Sequence, residues 1–116
     1  MAASPACLFC RIASHELPAS VLLDEPDLLA FKDINPQAPT HVVLIPRAHI
    51  DRVSNATPAH TALLGQLILA ANRLARQLQL ADGYRLVINC GAQAGQSVDH
   101  LHLHLLGGRP MRWPPG

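Results

Sequence analysis

The sequence has no apolar run approaching the roughly 18 residues that a bilayer-spanning helix needs. Its first residues, Met1-Ala-Ala-Ser-Pro5, lack the basic and apolar regions of a secretory signal. Charge is scarce too. Asp, Glu, Lys and Arg make up 15% of 116 residues and the formal net charge is +1, so nothing offers an electrostatic footprint for nucleic acid or an anionic membrane. Low charge beside 49% hydrophobic residues excludes the composition of a disordered chain. Three cysteines at uneven spacing do not make a disulfide framework. There are no internal repeats and no low-complexity blocks. These absences predict one cytoplasmic domain over residues 1–116, with 1–5 a flexible N-terminus and 107–116 an extended tail. A chain this size buries only about 65% of the surface it exposes when unfolded, so a dimer or a bound metal would help it.

What is present reads as strands grouped around one helix. Residues 7–14 form a short helix or turn. Val21–Asp24 and Leu28–Asp33 are strands joined at Glu25-Pro26-Asp27, and the apolar run His41–Ile45 is a buried strand stopped by Pro46. The long helix starts at Thr57-Pro58, an N-cap followed by a proline suited to the first turn. Leu63, Leu64, Leu67, Ile68, Ala71, Leu74, Ala75 and Leu78 give it one apolar stripe, and Asp82-Gly83 ends it. Tyr84–Asn89 and His100–Leu106 are the last strands, separated by the loop Gly91–Gly95. The pattern predicts an α+β fold with a mainly antiparallel sheet covered on one face.

Seven histidines are an excess, and three of them alternate in Asp99-His-Leu-His-Leu-His-Leu-Leu106. On a strand the leucines enter the core while His100, His102 and His104 line the other face, about 7 Å apart along the backbone. Three readings compete. The face is merely polar; it holds a catalytic zinc; or one histidine is a nucleophile towards phosphorus and its neighbours handle protons and charge. The loop before the strand favours the last. Gly91, Gly95, Gln96 and Ser97 offer backbone N–H groups, an amide and a hydroxyl to anionic oxygens. Cys7-Leu-Phe-Cys10 is a zinc half-site, a redox pair or two buried thiols, although no thioredoxin-like unit follows it. If it holds zinc, the partner ligands come from His15, His49, His60 and His100.

His100-Leu-His-Leu-His-Leu-Leu106 resembles the signature of the histidine triad (HIT) superfamily in full. The resemblance extends to Phe31-Lys-Asp-Ile-Asn-Pro-Gln-Ala-Pro-Thr-His41, Pro46-Arg-Ala-His-Ile50, Gly83-Tyr-Arg85, Gly95-Gln-Ser97 and Leu106-Gly-Gly-Arg109. The tail Trp113-Pro-Pro-Gly116 makes it similar to the Hint branch, the purine nucleoside phosphoramidases and nucleotide-binding proteins, more than to the dinucleoside polyphosphate hydrolases. What the resemblance implies is a HIT-like sheet of about five strands with one long and one short N-terminal helix, continued across a homodimer. It implies hydrolysis of the P–N bond of purine nucleoside 5′-phosphoramidates through a nucleotidyl-histidine. The alternatives are hydrolysis of dinucleoside polyphosphates or adenylyl sulfate, or nucleotide binding without catalysis.

Carried over by position, the resemblance makes His102 the nucleophile, His104 the phosphate ligand, His41 its relay and Ser97 the group assisting departure. Asn89, Gly95 and Gln96 would lie near the phosphate. Phe9, Ile12, Phe31 and Ile34 would wall the nucleoside, Asp33 would hold the ribose hydroxyls, and Trp113 would reach towards a partner's site. Phe9 and Phe31 have a plain core as their alternative, Asp33 a strand-end cap and Asn89 a turn. For the metal, the resemblance selects Cys7, Cys10, His49 and His100 as a closed, structural zinc site, with no organic cofactor. Asp99 and Cys90 depart from the commoner family pattern and leave substrate preference open.

Overall fold

The computed structural model describes residue 4 and residues 6–116; the other residues of the expected flexible N-terminus lie outside the described set. Helix α1 (Leu8–Ala13) is followed by strands β1 (Val21–Asp24), β2 (Leu28–Lys32) and β3 (Thr40–Pro46). Helix α2 (Thr61–Gln77) leads to β4 (Tyr84–Val87) and β5 (Leu103–Gly107). The strands form one antiparallel sheet in the order β1-β2-β3-β5-β4. Among the described residues no helix is long and apolar enough to cross a membrane.

Alternation along the strands sends Leu28, Ala30, Val42, Leu44, Leu103 and Leu105 to one face, where α2 covers them. The helix contributes Leu67, Ala70, Ala71, Leu74 and Ala75, and its alanines let it lie close to the sheet. The other face is covered as well, contrary to the single covered face expected. Leu29, Phe31, Val43 and Ile45 pack against Phe9, Ile12 and Ala13 of α1. Cys7 starts α1 as its N-cap, its Sγ accepting from the Cys10 N–H at 3.4 Å. The thiols of the Cys-x-x-Cys therefore meet at the helix start.

The helical stretch opens at Thr57-Pro58 as expected, but α2 itself starts at Thr61. A 3-10 turn, Pro58–His60, precedes it, and His60 Nδ1 accepts from the Thr57 N–H at 3.0 Å. Its end is a correction. The helix stops at Gln77, well before Asp82-Gly83, because Gln79 adopts φ 61°. The Leu80 N–H then bonds back to the Ala75 carbonyl and the Gln79 N–H to that of Arg76, a Schellman closure with glutamine where glycine is usual. Ile68, assigned to the apolar stripe, is 38% exposed beside Leu69 at 63%.

Both last strands are shorter than the sequence suggests. β4 ends at Val87, whose partner is His104, and β5 begins only at Leu103. His100, Leu101 and His102 precede the strand.

Gly108 closes the β3–β5 end of the sheet with φ +90°, and a Cβ there would lie 2.9 Å from Pro39 Cβ. Gly108→Ala combines backbone strain with a contact against a rigid ring. It is expected to cost about 1–3 kcal/mol, read as a lower urea midpoint at unchanged slope.

Candidate active site

Three imidazoles, those of His41, His102 and His104, meet where the chain enters β5. Ahead of the strand the His100 N–H bonds to the Val98 carbonyl and the Leu101 N–H to that of Ile50 at 2.6 Å. This turn leaves the His100 carbonyl 2.6 Å from His102 Nδ1. A carbonyl only accepts, so His102 carries its proton on Nδ1 and keeps the lone pair on Nε2. The ring is 5% exposed, with Phe9 edge-on at 5.1 Å between centroids.

His104 lies on β5 opposite Val43, and His41 lies on β3 opposite Leu106, so both project to the α1 side. The Gln37 N–H donates to His41 Nδ1 at 3.0 Å, which puts the proton of a neutral His41 on Nε2. That Nε2 is 2.9 Å from His104 Nδ1 and 3.4 Å from Asp33 Oδ2. His104, accepting at Nδ1, keeps its own proton on Nε2. Burial pulls the His104 pKa down to about 4, and the neighbouring His102 and His41 add to the shift. Burial also lowers His41, against the opposing pull of Asp33. Both shifts favour the neutral forms, so His104 presents an N–H donor at Nε2 beside the Nε2 lone pair that the His102 tautomer leaves free.

The loop after β4 runs on into the segment that carries His100 and His102. Asn89 is half-buried and Ser97 exposed, and Gly95 takes the left-handed conformation at φ 86°. The Gln96 amide is fully engaged: Oε1 accepts from the Gly91 N–H, and Nε2 donates to the carbonyls of Asp51 and Val98. Its side chain shapes the loop. Phe9, Ile12 and Phe31 are 7%, 9% and 5% exposed and belong to the second core cluster, the phenylalanines meeting edge-on at 5.6 Å. Asp33 accepts the Asn35 N–H at 2.8 Å. Ile34 and Trp113 stand outside the protomer's packing, 99% and 83% exposed.

A second cluster lies behind the first. The donor atoms of Cys7, Cys10, His49 and His100 all fall within 4.8 Å of one another. Cys7 Sγ is 3.3 Å from His100 Nδ1, and Cys10 Sγ is 3.2 Å from His49 Nδ1. Each imidazole spends its other nitrogen elsewhere. His49 Nε2 meets Asp51 Oδ1 at 2.7 Å and His100 Nε2 meets the Pro46 carbonyl at 2.8 Å. Both Nδ1 lone pairs therefore turn towards the thiols, as ligands to a divalent metal ion require. The donor set fits a soft, tetrahedral ion. Asp33, His41 and His104 also converge, but the Gln37 N–H fixes the proton on the one His41 nitrogen that a metal would need.

Sequence reasoning missed three contributors. Asp51 orients His49, and its position two residues downstream was a signal to be found. The Pro46 carbonyl and the Gln37 N–H are backbone groups, which residue identity does not reveal.

Comparison with known proteins accords with this arrangement. The HIT domain family model matches residues 14–111. An uncharacterized HIT-like protein of Synechocystis is 53% identical over 109 residues, covering 94% of this chain and 96% of that one. A HIT family hydrolase from Legionella pneumophila superposes with a TM-score of 0.94 at 49% identity, covering 95% of this chain and 99% of the other. A zinc-bound histidine triad family protein from Mycobacterium smegmatis does so at 0.78 and 32% identity, covering 90% and 76%. The family match runs through every strand and takes in the whole histidine cluster, so this chain belongs to the HIT domain family.

Proposed function

We propose that this protein is a nucleotidyl hydrolase that cleaves the P–N bond of purine nucleoside 5′-phosphoramidates through a nucleotidyl-His102 intermediate. The observation that carries the reading is the His102 tautomer. With Nδ1–H held by the His100 carbonyl, Nε2 offers a lone pair without a prior proton transfer. That nitrogen attacks phosphorus, the P–N bond breaks, and the amine departs with a proton relayed from solvent through the exposed Ser97 hydroxyl, a proton that the attacking water returns to solvent in the second step. Water then attacks the same phosphorus, the bond to His102 breaks, and the nucleoside monophosphate leaves. His104 donates from Nε2 to a phosphoryl oxygen whose charge grows in each transition state. Asn89, Gly95 and Gln96 frame the phosphate. Asp33 accepts from the ribose hydroxyls, and Phe9, Ile12, Phe31 and Ile34 wall the purine. Similarity to a HIT family hydrolase supports hydrolysis rather than binding alone.

The same reading makes the protein a cytoplasmic homodimer whose sheets join. In support, β4 is a sheet edge with Tyr84 and Ile88 exposed, and α2 turns Ile68 and Leu69 outward. Trp113 would then find its contacts on the partner. Cys7, Cys10, His49 and His100 would hold a zinc ion, as the zinc-bound relative suggests. Four protein ligands close a tetrahedral ion, so its contribution is a cross-link between α1 and the segment entering β5.

His102→Ala is expected to lower kcat by on the order of 10^3-fold or more, while the Kd for AMP changes little, because the nucleophile acts in the chemical step. Steady-state turnover of adenosine phosphoramidate and AMP titration measure the two. Cys7→Ser or Cys10→Ser is expected to reduce bound zinc, lower Tm and weaken AMP binding, with kcat at saturating substrate kept within a few-fold. Complete loss of turnover on chelation of the still-folded protein, restored by zinc, would instead put the metal in the chemistry.

A third expectation concerns acid. His104 titrates near 4 in the folded protein against an ordinary 6.5, so between those values the unfolded chain binds a proton that the folded chain does not. Stability contributed by neutral His104 is complete above about pH 6.5 and falls as pH is lowered towards 4. Melting curves across that window should show a shallower decline for His104→Asn than for wild type.

A further inference from the structure

We infer that Arg109 is a positioning residue for the His41–His104 pair: from the start of the C-terminal tail it holds Gln37 in the β2–β3 loop, and the Gln37 N–H in turn keeps a proton off His41 Nδ1. This role rests on the function proposed above and is played without contact to the substrate.

The loop between β2 and β3 needs an outside anchor. Pro36 and Pro39 have no N–H to give, so residues 33–39 cannot be laddered to a neighbouring strand. The loop bonds mostly to itself. The Asn35 N–H donates to Asp33 Oδ1 at 2.8 Å, Gln37 Nε2 to the Asn35 carbonyl at 3.0 Å, and the Asp33 N–H to the His41 carbonyl at 3.0 Å. Among the described residues, a single hydrogen bond reaches residues 33–39 from elsewhere than the loop and β3. It runs from Arg109 Nη2 to the Gln37 carbonyl at 3.0 Å. Gly108 brings Arg109 to that place. At φ +90° it passes so near the loop that a Cβ would lie 2.9 Å from Pro39 Cβ.

Gln37 is thus held at both of its backbone groups, its carbonyl by Arg109 and its N–H by His41 Nδ1 at 3.0 Å. Among the described residues nothing else bonds to that nitrogen. His104 Nδ1 at 2.9 Å and Asp33 Oδ2 at 3.4 Å both face His41 Nε2. Burial favours the neutral His41 ring while the Asp33 carboxylate pulls the other way, and neither decides which nitrogen keeps its lone pair. The Gln37 N–H does decide it, because a donor at Nδ1 excludes a proton there. A proton on Nδ1 instead of Nε2 would reverse the pair. His41 Nε2 would accept from His104 Nδ1, and His104 Nε2 would turn a lone pair, not a proton, towards the phosphoryl oxygen. The polarity of two buried or half-buried imidazoles therefore depends on an exposed guanidinium just beyond β5.

Because Arg109 is exposed, Arg109→Ala removes the donor without opening the core. Ring 15N spectra of His41 are expected to show an unprotonated Nδ1 in wild type and a protonated fraction at Nδ1 in Arg109→Ala. Arg109→Lys, which keeps a cationic donor, should restore most of the wild-type signal. On adenosine 5′-phosphoramidate, Arg109→Ala is expected to lower kcat about two- to tenfold, the worth of one hydrogen bond, with KM little changed. Arg85 supplies the control. Its Nη2 donates to the Arg112 carbonyl at 2.6 Å and pins the tail farther along. Arg85→Ala loosens the tail without touching Gln37, and should leave His41 Nδ1 unprotonated.

An Nδ1 signal unmoved by Arg109→Ala, an equal change in Arg85→Ala, or a protonated Nδ1 with undiminished kcat overturns the assignment. If Arg109→Ala protonates Nδ1 as expected but wild type hydrolyses no phosphoramidate, the hold of Arg109 on His41 stands and the hydrolase reading falls. If wild type turns over and Arg109→Ala changes neither Nδ1 nor kcat, the hydrolase reading stands and the role of Arg109 falls.

Discussion

The antiparallel register of β5 on β3 is the constraint on which the site depends. Val42 and Leu44 sit opposite Leu105 and Leu103, and all four are nearly inaccessible beneath α2. The alternation that buries them throws His41 and His104 to the other face, within hydrogen-bond reach of each other. A slip of β5 by one residue would drive His104 into the α2 core and turn Leu103 and Leu105 to the opposite face. At roughly 1.5–3 kcal/mol for each large aliphatic side chain buried, four such residues outweigh any polar contact made by the histidines. The geometry of the His41–His104 pair is set by hydrophobic burial on the reverse side of the sheet.

Where that register stops matters as much. In a continued strand the His100 carbonyl would face a neighbouring strand. Instead the chain turns, Leu101 bonds to Ile50, and the freed carbonyl captures His102 Nδ1. The sequence conceals this break because Leu101, Leu103 and Leu105 remain buried in strict alternation across it. Periodicity reports which face a side chain occupies, not what its backbone bonds to. The overlong reading of Tyr84–Asn89 has the same origin, since β4 runs out of partner where β5 begins. The end of α2 was hidden for another reason. Gln79 takes the left-handed conformation without the glycine that normally signals it, while Asp82-Gly83 supplied a plausible stop further on.

Within the site, legibility followed residue type. Cys-x-x-Cys reads as one half of a metal site, but spacing leaves four histidines that could complete it, and only resemblance to the family chooses between them. The structure gives a physical account of the division. His60 is occupied in capping the start of α2, and exposed His15 lies 3.3 Å from Asp24. His49 and His100 alone turn Nδ1 to the thiols, because Asp51 and the Pro46 carbonyl hold their other nitrogens. Phe9 and Phe31 were read either as core or as pocket wall. They are buried in the core cluster, and Phe9 also packs against the His102 ring, so core membership does not remove them from the site.

The signature His-Leu-His-Leu-His repeats one side chain three times, yet the three imidazoles are chemically distinct. Each ring has two nitrogens, and the fold commits one of them to a fixed partner before any ligand arrives. His100 is held at Nε2 by the Pro46 carbonyl, which turns Nδ1 to the cysteines. His102 is held at Nδ1 by the His100 carbonyl, which leaves Nε2 with its lone pair. His104 is held at Nδ1 by His41, which leaves Nε2 with a proton. The difference between the last two lies in the partner: a carbonyl must accept, whereas the His41 nitrogen, committed by the Gln37 N–H, must donate. A lone pair turned to two thiols, a lone pair left free on Nε2 and an N–H donor thus arise from one residue type by choice of hydrogen-bond partner. Two of those partners are backbone carbonyls and the third is governed by a backbone N–H, so the division of labour is written in the chain's path.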